Sequence, residues 1–283
     1  MSDQEQDTGL NRNILDKYYT RKHIAHLCKT TICNHVDIDF DDDIIIEPSA
    51  GNGIFLDVLS DVCSNIQGYD IAPENTSNKK IIKQDFFTLD GYLFQFAFKK
   101  IHVIGNPPFG RQSSLAFQFI NHAASFCDTI SFILPKSFRK DSMIAKMPPY
   151  FHLLKELELQ DDSFEVNQII HSVPCVFQIW EKRPYMRFVL EKVKPIGYHF
   201  VKKTEQHDIS FRRVGAKAGT IALFNESSFK SAQSHYFIRF MVSDKEKSEI
   251  IRKIYTMEFE HNNTVGPKSI SKQELIRKIN EFM

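Results

Sequence analysis

Short runs of consecutive apolar residues alternate along this chain with longer stretches in which apolar residues recur every three or four positions. Ile44, Ile45 and Ile46 form a β-branched run that reads as a strand. Further strands are expected over 67–70, 81–84, 102–104 and 130–134. Helical spacing covers 14–33, with Ile14, Ile24, Leu27 and Ile32 as buried positions. It recurs over 54–63 and over 114–126, where Leu115, Phe119, Ala123 and Phe126 share a face. Such alternation predicts a parallel sheet with helices on both faces. Residues 153–181 break the rhythm: LLKELELQ and VPCVFQIWEK are too close for an intervening helix and predict antiparallel neighbours at the end of the sheet.

Beyond Pro184 the texture becomes basic and aromatic, with Phe200, Lys202 and Lys203, then Phe211, Arg212 and Arg213, then Tyr236, Phe237, Arg239 and Phe240. A smaller α+β domain is expected there, closed by a helix that opens on the capping-box pattern Ser271-Lys272-Gln273-Glu274. The organisation is therefore a polar tail over 1–13, an α/β core over 14–183 and a basic domain over 184–283. Charge sharpens the division. The whole chain of 283 residues carries a net +1. Residues 181–283 hold 20 Lys and Arg against 12 Asp and Glu, which leaves 16 against 23 for residues 1–180.

No apolar run is long enough to span a bilayer, and the N-terminus MSDQEQDTGL is polar and acidic where a secretory leader is basic then apolar. The expectation is an intracellular protein, cytoplasmic or nuclear, without a membrane partner. Five cysteines without a CxxC pair argue for a reducing compartment, for buried thiols and against a structural metal. The acidic run Asp37, Asp39, Asp41, Asp42 and Asp43 reads as a solvated loop before a strand.

The candidate chemistry lies where the expected strands end. After the first comes EPSAGNG: a carboxylate, Glu47, then Ser49 and the turn of Gly51 and Gly53, which lets a ligand lie against bare backbone. Asp70 ends the second strand, where an acidic side chain accepts the hydroxyl protons of a ribose. Leu56 stands where a dinucleotide fingerprint requires a third Gly or Ala, and the Lys-Ser/Thr pair of a P-loop is missing. A nucleoside ligand without a pyrophosphate fits better. After the third strand, Asp85 is placed to accept from an adenine amine while Phe86 packs on the ring.

The fourth strand runs into Asn106-Pro107-Pro108-Phe109. Two prolines stop the strand and lock the backbone, so outward carbonyls are held rigidly. The exocyclic nitrogen of adenine is a poor nucleophile, its lone pair being delocalised into the ring. Acceptance of its hydrogens by the Asn106 side chain and the Pro107 carbonyl would turn that lone pair outward, with Phe109 stacked on the base.

Taken in order, YYT (Tyr18, Tyr19, Thr20), EPSAGNG, YDI (Tyr69, Asp70, Ile71), QDFF and NPPF resemble the motifs of S-adenosylmethionine-dependent adenine-N6 nucleic-acid methyltransferases, over about residues 14–183. The resemblance implies a Rossmann-like seven-stranded sheet, mostly parallel, with an antiparallel terminal hairpin. It implies S-adenosylmethionine as cofactor, with Tyr19 and Thr20 flanking its methionine part, Glu47 and Gly51 at its amino-acid end, Asp70 on its ribose and Asp85 with Phe86 at its adenine. Asn106, Pro107, Pro108 and Phe109 would hold the target amine.

The nucleic acid, DNA or RNA, is expected across Arg111 and the loop carrying Lys136, Phe138, Arg139 and Lys140, with a second contact at Arg212, Arg213 and Lys217 in the glycine-punctuated segment FRRVGAKAG. Two other functions fit parts of the pattern. A protein glutamine N-methyltransferase would use the same amide-nitrogen logic. A non-catalytic nucleic-acid-binding partner subunit would retain the fold alone.

Overall fold

The computed structural model describes residues 18–74, 78–189, 191–224, 230–259 and 268–283. The chain forms two units, one holding the residues up to Phe138 and Lys146–Phe188, the other Arg139–Ala145 and Val189–Met283. The second unit thus includes a segment from the middle of the sequence as well as the C-terminal hundred residues.

Three short strands, β1 (Tyr19–Thr20), β8 (Phe164–Val166) and β9 (Ile169–His171), make a small antiparallel sheet in the first unit. Its main sheet has seven strands: β2 (Ile44–Glu47), β3 (Asn65–Asp70), β4 (Ile81–Lys83), β5 (Ile101–Gly105), β6 (Thr129–Pro135), β7 (Phe151–Glu158) and β10 (Cys175–Lys182). Their order is β4-β3-β2-β5-β6-β10-β7. The first five are parallel, and β10 runs antiparallel between β6 and β7. This is the mostly parallel Rossmann-like sheet with a terminal antiparallel hairpin that the sequence predicts. Every residue of β2 and β6 is buried, as continuous apolar strands covered on both faces should be. From β2 the chain moves outward to β3 and β4, then returns to β5 on the other side of β2. That reversal opens a crevice at the carboxyl ends of β2 and β5.

The helices are α1 (Lys22–Cys33), α2 (Ile54–Leu59), α3 (Tyr92–Ala97) and α4 (Ser114–Ala124). α1 buries Ile24, Ala25, Cys28, Thr31 and Ile32. Leu27, expected inside, falls off that stripe and is 37% exposed. Ile14 lies outside the described residues. Tyr19 and Thr20, read from spacing as part of a helix, are extended because they pair with Glu165 and Phe164. Cys28, Cys63, Cys127 and Cys175 are buried free thiols, and Cys33 is exposed.

At the amino end of the sheet the acidic run is only partly solvated. Asp43 is fully buried and accepts from the amides of Lys100 at 3.0 Å and Asp39 at 2.8 Å, and from His102 Nε2 at 3.2 Å. His102 Nδ1 lies 2.8 Å from the Thr129 hydroxyl. A neutral ring protonated on Nε2 satisfies both contacts, with Thr129 donating to Nδ1. Burial lowers the His102 pKa, opposed by Asp43.

The second unit contains α5 (Asp141–Ile144), a four-stranded antiparallel sheet of β11 (Tyr198–Val201), β12 (Ile209–Arg212), β13 (Ile221–Leu223) and β14 (His235–Phe240), and the helices α6 (Asp244–Tyr255) and α7 (Lys272–Asn280). It is the expected α+β domain. One sheet face, with Tyr198, Phe211, Ile238 and Phe240, packs against Ile250 and Ile254 of α6 and Leu275 and Ile279 of α7. Both helices open on complete capping boxes, Ser243 with Glu246 and Ser271 with Glu274.

Candidate active site

Four loops meet at the carboxyl ends of β2, β3, β4 and β5. Together with Tyr18, Tyr19 and Thr20 they enclose a cavity of about 320 Å³, within the range of about 300–1,000 Å³ usual for small-molecule sites. Of the residues singled out by sequence, Tyr19, Thr20, Glu47, Ser49, Gly51, Asp70, Ile71, Asp85, Phe86, Asn106 and Pro108 line it.

The glycine turn is held by the acid that follows it. Gly51 N donates to Asp70 Oδ2 at 2.8 Å, and Ala72 N donates to Oδ1 at 2.8 Å. Asp70 therefore anchors the loop through both oxygens. Gly51 adopts φ +50, and a Cβ there would meet the Tyr19 ring at 3.3 Å. The Tyr19 hydroxyl donates to Glu74 Oε1, and Glu74 N donates to the Gly51 carbonyl at 3.2 Å. Burial, reinforced by Glu74 and Asp70, raises the Tyr19 pKa. Glu74 joins the site through these contacts; its place in the chain gives no warning of it.

Two polar groups point to a bound partner. Glu47 is 3% exposed and Thr20 is 5% exposed. Neither Glu47 Oε2 nor Thr20 Oγ1 has a hydrogen-bond partner among the described residues. Burial pushes the Glu47 carboxyl well above its ordinary value of 4.5, against a hydrogen bond from the Leu56 amide and with repulsion from Asp70 and Asp57. Because the folded state holds this proton more tightly than the unfolded state, stability falls as pH rises above 4.5. Glu47→Gln should accordingly stabilise the apoprotein by roughly 1–3 kcal/mol at pH 8 and change little at pH 4. Urea denaturation at both pH values checks this; an equal change at both would show that ionisation is not the cause.

The Asn106 loop follows β5. Asn106 Nδ2 donates to the Tyr18 carbonyl at 3.1 Å, and Ser49 Oγ donates to the Asn106 carbonyl at 3.2 Å. Immediately beyond, Gly110 has φ +67, and Gln112 and Ser113 have φ +54 and +60. Left-handed backbone at two consecutive non-glycine residues costs roughly 1–3 kcal/mol each, so this loop is held in place by its surroundings.

Several expectations need correction. Phe86 borders the cavity as part of the core, not as a free ring: it is 2% exposed and stacked on Phe119 at 5.6 Å, with Phe126 and His122 beside it. Asp85 caps the short turn Phe86–Thr88 by accepting from Phe87 N at 3.0 Å, so one oxygen is committed to backbone. Pro107 is buried and Phe109 half-buried, and neither they nor Gly53 line the cavity. Gly53 instead precedes α2 in a left-handed conformation.

The proposed nucleic-acid loop is largely structural. Phe138 is 1% exposed and stacks on Phe117 at 4.9 Å. Lys136 pairs with Glu158. Lys140 buries its side chain within the second unit, its ammonium donating to the Ser269 carbonyl at 2.6 Å near Glu274 at 4.0 Å. Desolvation lowers its pKa. Arg111 and Arg139 are exposed.

In the second unit, Arg212 Nε donates to the Val214 carbonyl at 3.2 Å. Arg213 donates to the Gln233 carbonyl at 2.7 Å and lies over the Tyr236 ring at 5.4 Å. The amides of Gly215, Ala218 and Gly219 donate to the carbonyls of Lys268, Gly215 and Arg212. The glycine-punctuated loop thus spends these three backbone donors internally, while Lys217 is exposed.

No protein-family model matches this sequence, and no curated protein matches it. Solved structures it is similar to include the 23S rRNA methyltransferase ErmE, at 16% identity and TM-score 0.41 over 62% of this chain and 72% of that one. An rRNA methylase from Streptococcus thermophilus has 16% identity and TM-score 0.36 over 56% of this chain and 95% of that one. The N-methyltransferase NodS from Bradyrhizobium japonicum has 8% identity and TM-score 0.39 over 57% and 95%. At these values the likeness bears on no individual residue of the site.

Proposed function

We propose that this protein transfers a methyl group from S-adenosylmethionine to the N6 amine of adenine in a nucleic acid. One observation carries the reading: a single cavity brings two buried oxygens without a hydrogen-bond partner among the described residues, Glu47 Oε2 and Thr20 Oγ1, together with Asp70 and the Asn106 loop.

The residues fit the cofactor by chemistry. The Glu47 carboxylate and the Thr20 hydroxyl suit an α-amino group, Asp70 the ribose hydroxyls, and Ile71 and Asp85 an adenine face and its amine. When bound, S-adenosylmethionine supplies an electrophilic methyl group on a sulfonium. The chain's own task is to present a nucleophile. Asn106 Oδ1 accepts a hydrogen of the target amine, which draws its lone pair out of the ring. The two prolines that follow keep this acceptor from relaxing. No special general base is required, since the proton leaves after the nitrogen has become cationic.

The deciding experiment offers labelled S-adenosylmethionine and purified protein single-stranded DNA, duplex DNA, and structured and unstructured RNA side by side. Label is expected at adenine N6 in at least one of them. Label found only on protein would overturn the reading in favour of an amide substrate.

A further inference from the structure

The target-amine reading above places the chemistry on Asn106, and the structure shows that the flip of this amide is not free. Its Nδ2 donates to the main-chain carbonyl of Tyr18 at 3.1 Å, across 88 residues of sequence. A carbonyl has no hydrogen to give, so only the NH2 end of the amide can make this contact. The Oδ1 end is then directed away from Tyr18. The two flips are almost identical in shape but opposite in chemistry. Turned the other way, the amide would offer hydrogens to an amine whose own hydrogens need acceptors.

Tyr18 is itself held. Its ring meets Phe164 edge-on at 6.5 Å and His171 at 5.7 Å. Phe164 is 1% exposed, so that contact is anchored in the core. The next residues pair with β8, and Arg21 ties the strand further, its amide donating to the Ser163 carbonyl at 3.1 Å and its guanidinium pairing with Asp162 at 2.6 Å. The hairpin that provides these partners turns at Asn167 and Gln168, both left-handed, as a tight two-residue turn requires.

We infer that Tyr18 is a positioning residue for the target amine: its carbonyl, clamped by the β8–β9 hairpin, sets the flip of the Asn106 amide. This rests on the functional reading above and extends it. Tyr19 and Thr20 of the same strand line the cofactor cavity.

The test uses the full chain with selective 15N-asparagine labelling, the Asn106 side-chain resonance being assigned by its loss in Asn106→Ala. In wild type its two Nδ2 protons should be distinct and slow to exchange. In Tyr18→Ala exchange should accelerate and kcat on the adenine substrate fall, each about tenfold, because a misplaced acceptor loses alignment with the amine. Because the Tyr18 ring lines the cofactor cavity, kcat is taken at saturating cofactor with the Kd for S-adenosylhomocysteine measured beside it, and Tyr18→Phe, which keeps the ring, should restore both readouts. His171→Ala loosens the same ring from the other side and must shift the same resonance, which covers the case of a Tyr18→Ala chain that does not fold. An unchanged Asn106 resonance in both variants, or equal loss of kcat and cofactor affinity, would overturn the inference. Amide protection in a wild type that methylates no adenine would overturn the functional reading and with it the role given to Tyr18, while the fixed flip would stand.

Discussion

Asn106→Ala is expected to lower methyl transfer to adenine by about 10²–10³-fold, the usual cost of removing one group that stabilises developing charge. The affinity for S-adenosylhomocysteine should change little. The side chain provides an acceptor needed most as the amine nitrogen becomes cationic, so its loss should fall on kcat. Removing it also strips the Tyr18 carbonyl of its donor, a cost of about 1 kcal/mol in stability, too small to unfold the first unit. Single-turnover rates at saturating cofactor, with calorimetry for the analogue, separate the two effects. Retention of most activity would remove Asn106 from the mechanism. Parallel loss of cofactor binding would place it in the cofactor site instead.

Asp70→Ala is expected to show the opposite split, weakening cofactor affinity by about 10²-fold, or about 2.7 kcal/mol. Both carboxylate oxygens already accept backbone hydrogens, from Gly51 and Ala72. Charge-assisted bonds of this kind contribute about 1.5–3 kcal/mol each, so the variant frees the glycine loop as well as losing the acceptor for the ribose. Asp70→Asn should be nearly as damaging despite its matching shape. One end of its amide would confront a backbone N–H with NH2, donor against donor. At saturating cofactor kcat should recover in both variants. An asparagine variant with wild-type affinity would show that Asp70 only fills space.

How far each residue could be read from the chain depended on the range of the forces that place it. The glycine turn after β2, the acid ending β3 and the prolines after β5 are local devices. Each states its backbone conformation within a few residues, and parallel strands bring their carboxyl ends to one side whatever the loops contain. This is why Glu47, Gly51, Asp70 and Asn106 could be named from spacing and do meet at one cavity. Phe86, Phe138 and Lys140 could not be judged that way. Whether an aromatic ring or a charged chain faces a ligand or the core depends on partners far away: Phe119 for Phe86, Phe117 for Phe138, Ser269 for Lys140. Arg213 likewise looks like a free cation in sequence, yet it is engaged by the Gln233 carbonyl and Tyr236.

The sequence by itself determined the strand and helix alternation, the antiparallel end of the sheet, the α+β character of the basic domain and the motifs bordering the cavity, because apolar periodicity, glycine and proline act locally. Tertiary structure alone decided that Arg139–Ala145 belongs to the second unit, that the acidic run buries Asp43 against His102, and that Tyr18 and Glu74 reach the site. Those outcomes rest on hydrogen bonds and ring contacts between residues tens of positions apart, for which one-dimensional periodicity carries no signal.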